Sequence, residues 1–160
     1  MTIRAVTHVG VCVADLERSL RFYVDGLGFE PRGEFSVSGP VWGRVMEVAA
    51  LDVRSCILRR DSVAIELLCY DSPGHLGTGA RRPMNELGLT HLAVWVDDLD
   101  LEMARLRGYG AEVVETTLTS FDEPGLHARW VYCTDPDGVR IELIEHATWQ
   151  PAALQVRPPD

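Results

Sequence analysis

Apolar and polar residues alternate in short valine-rich runs, and the first of these, residues 5–14, predicts a β-strand. The period then changes. Leu16, Leu20, Tyr23 and Val24 recur at helical spacing, so a helix is predicted over Leu16–Val24, with Asp15 as its N-cap and Gly26-Leu27-Gly28 as its stop. Alternation returns over Phe29–Val37, near Val53–Arg60 and, after an Asp61-Ser62 turn, over Val63–Tyr70. Residues 38–51 break the rhythm and predict a short helix or a lid. Residues 71–86, with Pro73, Pro83 and three glycines, read as a linker. The same order then recurs: a strand over Thr90–Val96, Asp98 or Asp97 as N-cap, a helix over Leu99–Arg107 stopped at Gly108-Tyr109-Gly110, and strands over Glu112–Leu118, His127–Cys133 and Val139–His146. The last two join through Asp135-Pro136-Asp137-Gly138, a tight-turn sequence. Trp149–Asp160, with three prolines, is expected to be extended.

The recurrence extends to individual residues. Thr7-His8-Val9-Gly10-Val11 is echoed by Thr90-His91-Leu92-Ala93-Val94, and Val63-Ala64-Ile65-Glu66-Leu67 by Val139-Arg140-Ile141-Glu142-Leu143. The spacing is 83 positions from His8 to His91 and 76 from Glu66 to Glu142, as a tandem duplication predicts. The expected organisation is one domain spanning 1–160, built of two βαβββ units at about 4–71 and 88–147, a linker at 72–87 and a tail at 148–160. The seven-residue excess of the first unit falls in residues 38–50, where Trp42 and Met46 read either as a cover that sets substrate size or as packing.

Composition narrows the function. A net charge of −9 argues against a nucleic acid or an anionic membrane as partner, and no apolar run approaches the roughly 20 residues that span a bilayer. The expectation is a cytoplasmic protein that takes a small-molecule substrate and pairs as a homodimer. All fifteen basic residues are arginine, which excludes Schiff-base chemistry and a phosphate-loop lysine. Cys12, Cys56, Cys69 and Cys133 show no Cys-x-x-Cys spacing and read as buried thiols within strands.

Strand parity puts His8 with Gly10 and Cys12, and Glu66 with Ala64 and Leu68, on the faces opposite the branched apolar residues. His91 and Glu142 sort the same way. Two histidines and two glutamates on one concave side are a donor set suited to one divalent ion of Zn, Ni, Co, Fe or Mn.

The chain resembles the vicinal oxygen chelate superfamily, which includes glyoxalase I, methylmalonyl-CoA epimerase, extradiol dioxygenases, fosfomycin-resistance enzymes and bleomycin-binding proteins. The resemblance is carried by the two Thr-His strands, by Phe22-Tyr23-Val24-Asp25-Gly26-Leu27-Gly28-Phe29, by Ile65-Glu66-Leu67 and by Asp135 to Leu143. It implies an α+β fold in which paired βαβββ units form a cupped mixed sheet around one metal held by His8, Glu66, His91 and Glu142. A His-Glu-His-Glu set resembles that of glyoxalase I, whereas the epimerases typically carry Gln at the position of Glu66. The leading expectation is therefore a metal-dependent lyase or isomerase in which Glu66 and Glu142 move a proton beside a carbonyl. An epimerase, a ring-cleaving dioxygenase and a ligand-sequestering resistance protein stand as alternatives.

Overall fold

A computed structural model describes residues 2–124 and 126–149. The chain divides into two compact units, Met1–Thr78 and Gly79–Asp160. The fold is α+β, with one four-stranded mixed sheet in each unit.

In the first unit β1 (Val9–Val13) is followed by α1 (Leu16–Leu20), β2 (Glu30–Ser38), α2 (Gly39–Met46), β3 (Asp52–Arg60) and β4 (Val63–Ser72). The sheet order is β1-β4-β3-β2, with β1 parallel to β4 and the other pairs antiparallel. In the second unit β5 (Leu92–Val96), α3 (Leu99–Arg107), β6 (Glu112–Glu123), β7 (Leu126–Thr134) and β8 (Arg140–Trp149) give the order β5-β8-β7-β6, again with the first pair parallel.

The parallel pairs explain the apolar half of the strand pattern. Ile65 and Leu67 on β4 are 3% and 0% exposed, and α1, which packs on that strand, contributes Leu16 to the core. Ile141 and Leu143 on β8, both fully buried, lie in the second unit's core with Leu99, Met103 and Leu106 of α3. Each such aliphatic side chain contributes about 1.5–3 kcal/mol by leaving water. Both helices start as their caps predict: Asp15 Oδ1 accepts from Arg18 N at 2.8 Å, and Asp98 Oδ1 from Leu101 N at 2.9 Å.

Several boundaries differ from the sequence expectation. The first helix does not end at Val24: it continues as a π-helical turn over Arg21–Gly26, with Leu27 N donating to Phe22 O. Phe22 and Tyr23 are adjacent and both buried, and the wider turn accommodates two neighbouring rings on the core side. The hairpin of β6 and β7 runs further than predicted, past a register shift between Val114 and Thr119, where Phe121 meets Trp130 edge to face at 4.6 Å. Residues 38–51 do form a helix, but α2 buries none of its side chains and Trp42 is 46% exposed, so core packing is not its role. A hollow of about 500 Å³ beside α2 is lined by Pro40, Gly43, Arg44 and Val48 among others. Cys56, Cys69 and Cys133 are buried thiols, whereas Cys12 is exposed because it lies on the open face of edge strand β1. β8 runs on to Trp149, so residues 148 and 149 of the expected tail belong to the strand, and the rest of the tail, from 150 onward, lies outside the described residues.

Candidate metal centre

The two histidines stand one residue ahead of β1 and β5 rather than inside them, because the parallel ladders begin at Val9↔Ile65 and Leu92↔Ile141. Each ladder then sets Glu66 opposite Gly10 and Glu142 opposite Ala93, two positions beyond the histidine and on the same face. A glycine or alanine opposite the carboxylate leaves the imidazole room to lean over it. In the first unit His8 Nε2 lies 3.0 Å from Glu66 Oε2, and in the second His91 Nε2 lies 3.3 Å from Glu142 Oε2. The glutamates are the more sheltered partners, at 13% and 19% side-chain exposure against 38% and 28% for the histidines. Each pair lies within its own unit, and among the described residues no set of three or more His, Cys, Asp or Glu side chains gathers as a metal cluster.

Groups that sequence reasoning missed complete each pair. Thr7 Oγ1 is 3.2 Å from His8 Nδ1, and Thr90 Oγ1 is 2.9 Å from His91 Nδ1. A partner on Nδ1 fixes the ring and leaves Nε2 as the outward donor atom, the arrangement that supports a metal-binding histidine. Each glutamate spends its other oxygen on a hydroxyl: Ser55 donates to Glu66 Oε1 at 2.6 Å, and Tyr132 donates to Glu142 Oε1 at 2.9 Å. Burial first, and then the hydrogen bond to Glu142, push the Tyr132 hydroxyl up to about 12, so it remains a donor at neutral pH. Tyr132 was legible in principle. Counting outward from the Asp135–Gly138 turn sets Tyr132 opposite Glu142. Ser55 is harder to find, since Ile57 faces Glu66 and Ser55 sits one diagonal away.

The donor chemistry fits a divalent ion. Two ligand atoms bonded at about 2.1 Å and subtending a right angle stand about 3.0 Å apart, close to both observed nitrogen–oxygen separations. Each glutamate has its Oε2 toward the histidine while Oε1 is anchored, which pre-orients the carboxylate.

Two β-α-β-β-β sheets of identical order, each carrying one Thr-His-Glu set, define a duplicated α+β binding fold. The sequence model of the Glyoxalase/Bleomycin resistance protein/Dioxygenase superfamily matches residues 5–143, and the chain belongs to that superfamily. It is 32% identical over 145 residues to a 2-epi-5-epi-valiolone epimerase from an Actinomyces species, covering 88% of this chain and 78% of that one. It is 29% identical over 149 residues to a probable lactoylglutathione lyase from a Synechocystis species, covering 86% and 92%. A solved glyoxalase family protein from Bacillus cereus shares the fold with a TM-score of 0.76 at 24% identity, over 91% of this chain and 96% of the other.

Proposed function

We propose that the protein is a divalent-metal enzyme of glyoxalase-like type, a lyase or isomerase that moves a proton beside a carbonyl on a small substrate chelating through its oxygens. The observation that carries this reading is the repetition of one geometry: a histidine nitrogen 3.0–3.3 Å from a glutamate oxygen, each with its second atom already anchored, in both halves of a duplicated chain. His8, Glu66, His91 and Glu142 are the proposed ligands. A divalent ion there supplies Lewis-acid stabilisation of negative charge on the substrate oxygen. The chain's own part is to orient and to carry the proton. Thr7 and Thr90 hold the imidazoles, Ser55 and Tyr132 hold the carboxylates, and Glu66 and Glu142 are the proposed bases, since no lysine exists to compete for the role.

The relative named as an epimerase favours a second form of the same chemistry, in which the proton returns to the carbon it left. A homodimer belongs to the reading too, supported by Ile3, Val6, Leu87 and Leu89, which stand 71–96% exposed.

The test has two stages. Protein reconstituted with Zn, Ni, Co or Mn is expected to retain one ion stoichiometrically, and His91→Ala to lose it. The retained form is then incubated in deuterated water with 2-oxoaldehyde hemithioacetals and with 2-methyl-branched acyl thioesters. Metal-dependent deuterium incorporation is expected, with Glu66→Gln and Glu142→Gln each slowing it by about 10²–10⁴-fold. Absence of retention, or retention by His91→Ala equal to that of the unaltered protein, refutes the ligand set. No incorporation into any of these compounds refutes the reaction class.

A further inference from the structure

The strands of the second unit lay a row of rings beside its His–Glu pair. Register sets Ala93, Glu142 and Tyr132 side by side across β5, β8 and β7, and two residues further along each strand, on the same face, it sets Trp95, Ile144 and Trp130. Successive same-face positions stand about 6.6 Å apart, so the row begins one side chain away from the carboxylate. Ile144 is 9% exposed and has an indole on either side. Phe121 of β6 extends the row, its ring centre 4.6 Å from that of Trp130.

This row is not core. Trp95 is 39% exposed, Phe121 36%, and Trp130 is half-buried, on a face where an antiparallel strand ordinarily turns polar groups to water. The duplication does not account for it either: the matching row of the first unit runs Cys12, Leu68, Ser55 and Phe35, with no indole. Each tryptophan is braced by a second ring, Trp95 by His146 at 3.9 Å and 88°, and Trp130 by Phe121 at 75°. Edge-to-face pairs hold the indoles in one orientation, so a ligand lying against them costs little further ordering. Apolar rings beside a few convergent polar groups are the make-up of a small-molecule site.

The occupant follows from the spacing. A substrate whose oxygens meet His91 and Glu142 brings the substituent on its adjoining carbon toward Ile144. A charged or hydrated substituent would lose water there without a partner, because Trp95, Ile144 and Trp130 offer it neither carboxylate nor guanidinium. Trp95 and Trp130 stand two strand spacings apart, about 9.6 Å at the backbone, a width that an aryl ring fills and a methyl group does not. An aryl ring gains both buried area and ring contacts. We infer that Trp95, Ile144 and Trp130, extended by Phe121, form a subsite for an aryl group beside the His91–Glu142 pair, which makes the substrates aryl-substituted oxygen chelators. Assigning that group to substrate rests on the metal-enzyme reading above.

Mandelate and lactate test this, since they present the same oxygens and differ only in carrying a phenyl or a methyl group. Calorimetric titration of the metal-reconstituted full chain is expected to give mandelate a Kd lower by about tenfold or more. Trp95→Ser and Trp130→Ser are each expected to cut that preference about fivefold, a ratio that a merely structural role would not move. Trp95 is partly exposed on edge strand β5, so Trp95→Ser keeps the test decisive if Trp130→Ser fails to fold. No saturable mandelate binding, equal affinities for the two acids, or a preference that survives both substitutions overturns the subsite. Metal content measured on the same samples separates the two ideas. An indole-dependent phenyl preference in protein that retains no metal refutes the metal reading and leaves the subsite standing, whereas retained metal without the preference refutes the subsite alone.

Discussion

Replacing Tyr132 by Phe removes one oxygen atom and leaves every ring contact in place. The hydroxyl donates to Glu142 Oε1 at 2.9 Å, while the ring separately carries Arg140 at 5.3 Å and His91 at 5.7 Å. The substitution therefore tests the hydrogen bond alone. A bond to a charged, largely sheltered acceptor is worth about 1.5–3 kcal/mol, and Glu142 is 19% exposed. If the hydroxyl serves to hold the carboxylate for a metal, the loss appears as weaker metal binding, about 10–100-fold for a supporting partner of this kind, or about 1.4–2.7 kcal/mol. The two figures agree, so the hydrogen bond is large enough to account for the whole effect. Competition of the protein against a chromophoric chelator measures it, with thermal unfolding of the metal-free form as the control. The expected outcome is metal affinity lowered at least tenfold with a metal-free melting temperature changed by only a few degrees. Affinity within twofold of the unaltered protein refutes the reasoning, because Glu142 would then need no anchoring.

Two further outcomes follow from the same geometry. Thiol labelling of native protein with a colorimetric disulfide is expected to modify Cys12 rapidly and the other three only on unfolding, since Cys56, Cys69 and Cys133 are buried and burial pushes all three thiols up, Cys133 to about 12; fast reaction of more than one thiol contradicts the burial. Arg54 holds Asp71, and Arg129 holds Asp100, below the ordinary carboxyl value of 3.8. Stability from these depressed carboxyls is complete above that value and is lost as pH falls through their lower folded-state values, so Asp71→Asn and Asp100→Asn should flatten the acid limb of a pH–stability curve, and an unchanged limb counts against the ion pairs.

The strand alternation, both helix caps and the duplicated Thr-His and Ile-Glu-Leu segments were legible because each depends on local periodicity or on comparing the chain with itself. Parity also put each histidine on its glutamate's face, which the 3.0 and 3.3 Å contacts bear out within the units. What escaped was set by contacts between distant positions. Nothing local distinguishes the π turn over Arg21–Gly26 from an ordinary helix until Phe22 and Tyr23 are both seen to need the core. The exposure of α2 depends on what packs against it rather than on its own apolar content, so the sequence left Trp42 open between a cover and packing, and its 46% exposure removes core packing. Cys12 follows the strand pattern correctly, but only the sheet order reveals that β1 is an edge. Arg140 shares the strand parity of Glu142, but its burial and its hydrogen bond to the Arg82 carbonyl depend on contacts with distant positions.

Duplication makes the two His–Glu pairs alike, and divergence around them makes the two glutamates chemically different. Glu66 is held by the small hydroxyl of Ser55 and is flanked along its strand by Ala64 and Leu68. Glu142 is held by a phenol, with a buried guanidinium over that phenol's ring and Ile144 on the other side. The two glutamates are therefore anchored by unlike groups, and under the proposed chemistry Glu66→Gln and Glu142→Gln are expected to slow deuterium exchange unequally. The asymmetry is also its own test. Arg140→Met should make the two pairs more nearly equivalent, narrowing any difference in deuterium-exchange rate between Glu66→Gln and Glu142→Gln when each is placed in the Arg140→Met background. If the two variants differ as much in that background as in the unaltered one, the guanidinium over the Tyr132 ring is not what distinguishes the two glutamates.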